Sequence, residues 1–415
     1  MKNKVELTAT LNRGKLLSGV ENLLYLLITI KGSQEEKQER APLNLSFVVD
    51  RSGSMSGSKI DYTKQALSLC VNHLDERDIQ SIVIFDYEVD VLIPPQVLSN
   101  KDIAKQAISR IEARGSTNLS GGLIKGSKLV NKHLDEGRVN RIITLTDGQA
   151  NQGIVNSQGL IELASSFSQK GMALSCIGVG DDFNEDLLTA MAEAGKGNFY
   201  YIENSDQIPA IFQEELQGLL HVIGQDVELL IDIPNCSVQT VYGYQPKSRP
   251  EGLGFSLPDL FSGEEKVLML ELKVPAMANG AHKVADINLR YMDMAELQEQ
   301  CLDLHVDVIV GDMEDINEEQ ENPEVQTHLR RFKISEAQKK AMELADAGDY
   351  ELARGLISAV INDYKEFGVT DEILAEGLQD LEQNVSVMAE NLYSASARKN
   401  MQYSSHALSK ARRKK

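Results

Sequence analysis

The sequence has no tryptophan and only four cysteines in 415 residues. These are Cys70, Cys176, Cys236 and Cys301, and none shows the close CxxC or Cys/His spacing of a zinc site. Widely separated cysteines fit buried free thiols in a reducing compartment. We therefore expect neither disulfides nor zinc, and we predict a cytoplasmic protein.

Long apolar segments are also missing. The charged residues Lys2, Lys4 and Glu6 are followed by an alternating pattern and not by the apolar core of a secretory signal peptide. The longest apolar stretch, residues 23–30, is far shorter than the roughly 20 residues that a membrane-spanning helix requires. These two absences predict a protein that has no membrane span and is not exported by the signal-peptide route.

Positive charge is in short supply, because 42 Lys and Arg residues against 62 Asp and Glu residues give a formal net charge of −20. Such a charge repels nucleic acids and acidic membranes, so we predict no nucleic-acid binding. Basic residues concentrate in residues 398–415, which contain no acidic side chain. We predict that this basic tail is a solvated, frayed terminus.

The order of apolar patterns predicts several domains, since the chain is too long for one hydrophobic core. Residues 43–221 alternate strand-like apolar runs with helical periodicity, which predicts a mainly parallel sheet with helices on both faces. Residues 1–42 and 222–310 instead read as strands with Gly and Pro between them. We favour one β-sandwich into which the α/β domain is inserted, and two separate small β units are the alternative.

The C-terminal part has a different pattern. Residues 311–324 (GDMEDINEEQENPE) form a predicted acidic linker. Residues 325–397 have helical periodicity with breaks at Gly348 and Gly368, which predicts a helical hairpin or small bundle. One turn resembles that of a tetratricopeptide unit, but a single unit is not a repeat array. The predicted fold is thus a multidomain α/β protein with a β-sandwich and a C-terminal helical segment.

Polar residues stand at the ends of the predicted parallel strands. Asp50, Ser52 and Ser54 follow the first buried strand, Thr117 precedes a helix, and Asp147 follows another strand. Ligands of such sheets bind at the carboxyl ends of the strands, so we expect these three loops to converge. Two carboxylates and three hydroxyls form an all-oxygen set, which suits a hard cation and does not suit zinc or copper. We predict Mg²⁺, with Mn²⁺ and Ca²⁺ as alternatives.

These residues resemble the metal-ion-dependent adhesion site of the von Willebrand factor A (VWA) domain family in type, order and spacing. The matching positions are Asp50, Ser52, Ser54, Thr117 and Asp147. The resemblance covers residues 43–220 and implies a Rossmann-like VWA domain. It also implies that the three hydroxyls contact the metal directly, that the two aspartates hold it largely through water, and that a partner carboxylate completes the shell.

Three other motifs fail on inspection. Residues 53–59 lack the Gly-Lys-Ser/Thr ending of a phosphate-binding loop. Residues 178–180 lack the third glycine of a dinucleotide fingerprint, because Phe183 stands in its place. Ser56 and Lys59 have SxxK spacing, but the other elements of penicillin-binding enzymes are missing. We therefore discount all three motifs.

Acidic residues near other strand ends are left out of the metal set. Asp86, Glu88, Asp90, Asp181 and Asp182 are interpreted as solvated loop charges, the commonest role of such residues, and the alternative is that they shape the site or bind a second ion. The histidines are scattered and predict no catalytic triad. The chain is therefore not predicted to be an enzyme.

The predicted function is divalent-cation-dependent protein binding or scaffolding, in which an Asp or Glu of the partner binds the ion. The family resemblance adds an AAA+ ATPase as one class of partner. One alternative is an exported adhesin or inhibitor-heavy-chain-like protein. A second alternative is a metal-dependent hydrolase, because a hard cation with an open position can polarise a phosphoryl oxygen.

Overall fold

The structure is a computed structural model that describes residues 4–34, 40–312, 321–365, 371–389 and 393–410. The chain divides into two compact units. The α/β unit consists of residues 35–226 and 292–298. The sandwich unit consists of residues 1–34, 227–291 and 299–415. The predicted linker, residues 311–324, lies mostly outside the described residues, since 313–320 are not described.

The strands, in chain order, are β1 (Val5–Leu11), β2 (Lys15–Leu17), β3 (Asn22–Gly32), β4 (Leu43–Asp50), β5 (Ile79–Phe85), β6 (Val89–Gln96), β7 (Val139–Thr146), β8 (Ala173–Val179), β9 (Lys196–Ile202), β10 (Val222–Asp232), β11 (Ser237–Tyr242), β12 (Lys247–Arg249), β13 (Gly252–Ser256), β14 (Leu260–Phe261), β15 (Glu265–Val274), β16 (Gly280–Asp293) and β17 (Gln298–Gly311). The helices are α1 (Ser58–His73), α2 (Lys101–Ser109), α3 (Leu119–Asn131), α4 (Ser157–Ser168), α5 (Glu185–Ala194), α6 (Ile208–Leu220), α7 (Pro323–Asp346), α8 (Tyr350–Lys365), α9 (Glu372–Ala389) and α10 (Ala395–Ser409). Single 3-10 turns lie at Gly53–Met55 and Ser205–Gln207.

The α/β unit contains a sheet with the strand order β6-β5-β4-β7-β8-β9. Strands β5, β4, β7, β8 and β9 pair in parallel, and β6 is antiparallel to β5. Every residue of β4, β5 and β7 is buried, as expected for parallel strands covered by helices on both faces. The predicted α/β fold is confirmed.

Helix α3 lies very close to this sheet because two of its glycines face the sheet. A Cβ atom at Gly122 would lie 2.6 Å from Cδ1 of Phe85, and one at Gly126 would lie 2.5 Å from Cγ2 of Val48. Only glycine permits this approach without displacing the core. The close packing fixes the start of α3, and with it the loop that carries Thr117.

Helix α6 is joined to the sheet by a buried polar network. Glu215 accepts hydrogen bonds from Ser175 Oγ at 2.5 Å, from Asn198 Nδ2 at 2.8 Å and from the Tyr200 hydroxyl at 3.0 Å. The Glu215 side chain is almost fully buried. A buried carboxylate is tolerated only when such donors satisfy it, so this network specifies the position of α6 on β8 and β9.

The sandwich unit contains two sheets, with the strand orders β1-β3-β15-β11 and β12-β13-β10-β16-β17-β2. Strand β3, before the α/β unit in sequence, pairs along its length with β15, which follows it. Strand β2 likewise pairs with β17. The N-terminal strands therefore complete the same sandwich as the later ones, which confirms the inserted arrangement over two separate β units.

The C-terminal helices belong to the sandwich unit, and α7 packs on one of its sheets. Val325, Leu329 and Phe332 of α7 form one buried cluster with residues of β3 and β15. The Phe332 ring stacks on Tyr242 at a centroid distance of 5.5 Å. Helix α7 therefore has an apolar face for the sheet as well as one for its neighbouring helices.

The prediction of a solvated basic tail at residues 398–415 is wrong for the described part, 398–410. Residues up to Ser409 belong to α10, in which Lys399, Met401 and Leu408 are buried. Ser335 on α7 donates a hydrogen bond to the Ser405 carbonyl oxygen at 2.9 Å. Apolar and small residues lie between the basic ones at helical spacing, and they outweigh the charge that suggested solvation. Residues 411–415 lie outside the described part.

His328 of α7 is expected to make the folding stability of the protein depend on pH. Burial lowers the pKa of His328 from its usual 6.5 to about 4, helped by Arg331, while Asp371 opposes the shift. The Arg331 Nη1 atom lies 3.4 Å from Nδ1 of this ring, and Glu265 Oε1 lies 3.9 Å from Nε2. The native state therefore resists protonation of a group that the unfolded chain protonates at about pH 6.5.

Because this folded pKa is depressed, the unfolded state binds the proton first as the pH falls below about 6.5. We expect wild type to lose about 1 to 2 kcal/mol more unfolding free energy than His328→Gln between pH 7 and pH 5. Urea unfolding followed by circular dichroism at several pH values measures this difference. Parallel pH profiles for the two proteins would contradict it.

The cysteines also bear on the sequence predictions. All four cysteines are free, with Cys70 and Cys176 buried, Cys236 partly buried and Cys301 exposed. Burial raises the pKa of the Cys70 and Cys176 thiols. The expectation of buried thiols is thus wrong for Cys301, which lies on a strand face turned to solvent.

Among the described residues, no helix combines the length and apolar character needed to cross a bilayer.

Candidate metal centre

Strands β4 and β7 bring the two predicted metal aspartates to the same sheet edge. The strands pair in parallel, with Val49 opposite Leu145, so both end at one level. Asp50 is the last residue of β4, and Asp147 immediately follows β7. Both side chains are fully buried. Two carboxylates therefore share a protected position at the carboxyl end of the sheet, as the sequence predicts.

The 3-10 turn after β4 places the two serines beside Asp147. The hydroxyls of Ser52 and Ser54 are 3.1 Å apart, and Ser54 Oγ donates to Asp147 Oδ1 at 2.7 Å. A Cβ atom at Gly148 would lie 3.6 Å from Thr117 Oγ1 and 3.8 Å from Ser54 Oγ. The hydroxyls of Thr117 and Ser54 thus border the same piece of backbone, and the structure brings the three predicted loops together.

The Asp50 carboxylate is held on both oxygens. Its Oδ1 accepts from the Ser52 backbone N–H at 2.7 Å, and its Oδ2 accepts from Thr146 Oγ1 at 2.5 Å. Burial raises the pKa of Asp50 to about 6, hydrogen bonds from Thr146 and Ser52 oppose the shift, and the Asp147 charge adds to it. A buried carboxylate beside a second one is an arrangement that a bound cation would stabilise.

Thr117 is positioned through its backbone. Its N–H donates to Asn151 Oδ1 at 2.9 Å, and its carbonyl oxygen accepts from the Asn151 N–H at 3.1 Å. Asn118 then caps α3 by accepting from the Gly121 N–H at 3.0 Å. The backbone of Thr117 is consequently held by the loop after β7, directly before the start of α3.

Two residues of the site were not identified from the sequence. Lys59 Nζ lies 2.5 Å from Asp147 Oδ2, yet the sequence showed Lys59 only within motifs that were excluded. Thr146 contacts Asp50, and the one sequence signal for it is a hydroxyl residue directly before Asp147 at the end of a strand. Both contacts depend on how the strands align, which no local pattern reveals.

The neighbouring acidic residues form ion pairs outside the metal set. Asp86 is fully buried and lies 3.0 Å from Arg51 Nε and 2.8 Å from Arg114 Nε. Arg114 also pairs with Glu88 at 2.9 Å, and Arg51 pairs with Asp90. The interpretation of Asp86 as a solvated loop charge is therefore wrong, because two arginines satisfy it. These pairs join the loops after β4 and β5 beside the site.

The donor set fits a hard divalent cation. The candidate ligands are carboxylate and hydroxyl oxygens, which Mg²⁺ prefers over the nitrogen and sulfur ligands of zinc or copper. In the part of the chain that the structure describes, no group of three or more His, Cys, Asp or Glu side chains could hold a metal. Any ion at this sheet edge would therefore depend on the hydroxyls as much as on the carboxylates.

Comparisons with known sequences identify the α/β unit. Residues 44–214 match the family model of the von Willebrand factor type A domain. The chain is 28% identical over 288 residues to the uncharacterized protein sll0103 of Synechocystis, covering 67% of this chain and 68% of that protein. It is 29% identical over 280 residues to the uncharacterized protein YfbK of Escherichia coli, covering 65% of this chain and 48% of that protein.

A human relative matches a smaller part. Inter-alpha-trypsin inhibitor heavy chain H3 is 30% identical over 191 residues, which is 43% of this chain and 22% of that protein. The matched segment therefore spans about two thirds of the Synechocystis relative but half or less of the other two.

Solved structures show the same fold over nearly the whole chain. A von Willebrand factor type A protein from Catenulispora acidiphila has a TM-score of 0.74 at 16% identity, covering 100% of this chain and 99% of that one. The ArnB paralog VWA2 from Sulfolobus acidocaldarius has a TM-score of 0.67 at 15% identity, covering 98% of each chain. At these identities the likeness concerns the fold alone. Together with the family match, it shows that residues 44–214 of this chain form a VWA domain.

Proposed function

We propose that the VWA domain binds one divalent cation and uses it to bind a protein partner. The proposed ligands are Asp50, Ser52, Ser54, Thr117 and Asp147, and the proposed ion is Mg²⁺, with Mn²⁺ and Ca²⁺ as alternatives. The observation that carries the proposal is the Ser54 hydroxyl, which contacts both Ser52 and Asp147 and borders Gly148, as the Thr117 hydroxyl also does. This hydroxyl thus joins two of the three loops, and Thr117 of the third loop borders the same glycine.

Exposure within the site supports recognition of a partner. Asp50, Ser52, Thr117 and Asp147 are buried, whereas Ser54 is exposed. A cation held by few charged protein ligands keeps positions for other oxygen donors. An Asp or Glu side chain of a partner would approach from the side of Ser54 and complete the shell.

The wider role follows from the same proposal. The protein would act as a cytoplasmic scaffold without catalytic activity, and an AAA+ ATPase is one partner class that the VWA resemblance suggests. Metal-dependent hydrolysis is the rival activity, and phosphoester turnover that disappears in Asp147→Ala would favour it.

A second candidate is an exported protein similar to the inhibitor heavy chains. The match to inter-alpha-trypsin inhibitor heavy chain H3 favours it, although that match covers 43% of this chain. Quantification of the protein in the culture medium and in the cell lysate separates the two. Recovery mainly from the medium would favour the heavy-chain-like candidate over the cytoplasmic scaffold.

The test of partner binding is an affinity capture from native lysate with the tagged full chain. Capture is run in Mg²⁺, in EDTA, and in Mg²⁺ with Thr117→Ala. We expect a partner to be retained by wild type in Mg²⁺ and lost under the other two conditions, because each removes the ion or one of its ligands. The variant Thr8→Ala, which changes an exposed threonine of β1 in the sandwich unit, is the matched control. Equal capture under all conditions would refute the metal-bridged mechanism.

A further inference from the structure

Lys59 occupies an unfavourable position in its helix. Helix α1 begins at Ser58, so Lys59 is in the first turn, where the helix dipole disfavours a positive charge. Its Nζ atom nevertheless contacts the fully buried Asp147 carboxylate at 2.5 Å, while the lysine side chain is 25% exposed. The position is therefore explained by Asp147 and not by stabilisation of α1.

The ammonium group takes the second oxygen of Asp147. Oδ1 accepts from Ser54, and Oδ2 faces Lys59. The end of the lysine side chain also lies against the turn after β8, at Gly180. A Cβ atom at Gly180 would lie 3.4 Å from Nζ and 3.6 Å from Cε of Lys59. One of the two neighbouring carboxylate charges of the site is thus neutralised by the chain itself.

A divalent cation near Asp147 would meet this ammonium at short range. Like charges a few ångströms apart repel strongly, even with the screening typical of a protein surface. The ammonium is on a flexible four-carbon stem and its side chain reaches solvent, so it can move away when an ion arrives. Lys59 and the metal ion therefore cannot both bind the same carboxylate closely.

We propose that Lys59 is a tethered counter-ion that competes with the divalent cation for Asp147. This inference rests on the proposed metal site. It explains how the buried Asp147 carboxylate is stabilised without metal, and it sets a metal affinity below that of the oxygen ligands alone. A partner carboxylate adds negative charge to the site, so partner and cation bind more tightly together than either does alone.

The decisive variant is Lys59→Gln in the full chain, which removes the charge and retains much of the length. We expect Mn²⁺ affinity, measured by titration calorimetry, to increase by about tenfold or more, since a repulsive charge is lost. In EDTA we expect a lower urea midpoint, because Asp147 loses its ion pair. A lysine with a merely structural role would lower the midpoint without raising metal affinity.

Lys64→Gln is the matched control. Lys64 lies on the same helix, its side chain is 24% exposed, and it pairs with Asp61 at 3.7 Å. We expect its Mn²⁺ affinity to equal that of wild type. An equal increase in both variants would show a general effect of net charge and would overturn the counter-ion role.

Acetylation of wild-type lysines, followed by mass spectrometry, gives a second measurement that needs no variant. We expect Lys59 to react slowly in EDTA and at least about threefold faster in saturating Mn²⁺, because the ammonium leaves Asp147. A change of about this size corresponds to the loss of one ion pair. Lys64 should react equally in both. An unchanged Lys59 rate in saturating Mn²⁺ would overturn the inference, as would unchanged or weaker Mn²⁺ binding by Lys59→Gln. Absence of Mn²⁺ binding in both wild type and Lys59→Gln would refute the proposed metal site together with the inference.

Discussion

Asp50→Asn is expected to weaken Mn²⁺ binding by about 10- to 100-fold, the usual cost of losing a group that orients or supports a metal site. The substitution removes a charge from the site but keeps the shape of the side chain. The amide oxygen that it introduces can still accept from the Ser52 N–H. Titration calorimetry of the full chain with Mn²⁺ measures the loss.

The same substitution is expected to leave the metal-free protein as stable as wild type or more stable. Burial and the neighbouring Asp147 both disfavour the Asp50 charge, as its raised pKa of about 6 shows. Asp61→Asn, at an exposed position on α1, is the matched control and should change neither quantity. Wild-type Mn²⁺ affinity in Asp50→Asn would remove Asp50 from the proposed ligand set.

Glu215→Ala is expected to lower the free energy of unfolding of the α/β unit by about 3 kcal/mol, since buried polar groups lose their partner. Ser175, Asn198 and Tyr200 all donate to this carboxylate. Removing it leaves a cavity and deprives three buried groups of an acceptor. Urea unfolding at neutral pH measures the change.

Glu215→Gln separates the hydrogen bonds from the volume of the side chain. It retains one oxygen acceptor in nearly the same place, so we expect a smaller loss than with alanine. Gln213→Ala is the control for the helix itself, because Gln213 lies on α6 and is exposed. If Glu215→Ala and Gln213→Ala destabilise equally, the network does not hold α6 on the sheet.

The sequence predicts the α/β fold well where burial dictates residue type. Strands β4 and β7 are continuous apolar runs because helices cover both of their faces. Strand β6 was not predicted, since it contains Asp90, Pro94 and Pro95, which disfavour a central strand. As the antiparallel edge of the sheet, it tolerates prolines that cannot donate to a neighbour.

The sequence predicts only those residues of the candidate site that stand at the ends of strands or helices. Asp50, Thr117 and Asp147 stand at strand or helix ends, and the parallel topology brings such ends together. Lys59 could not be predicted in this way, because its role depends on the direction of a long side chain across to another loop. The buried part of α10 was not predicted either. The prediction for this segment relied on its basic composition and did not consider the helical spacing of its apolar residues.

The pairing of β3 with β15 has a consequence for synthesis on the ribosome. Strand β3 ends at Gly32, whereas its partner β15 begins at Glu265. At the usual rate of translation, β3 has to wait roughly 10 to 50 s for that partner. The α/β unit, residues 35–226 with the later 292–298, is nearly complete in that interval. During translation, the N-terminal strands thus expose an unpaired apolar edge, which is a binding site for chaperones that act on nascent chains.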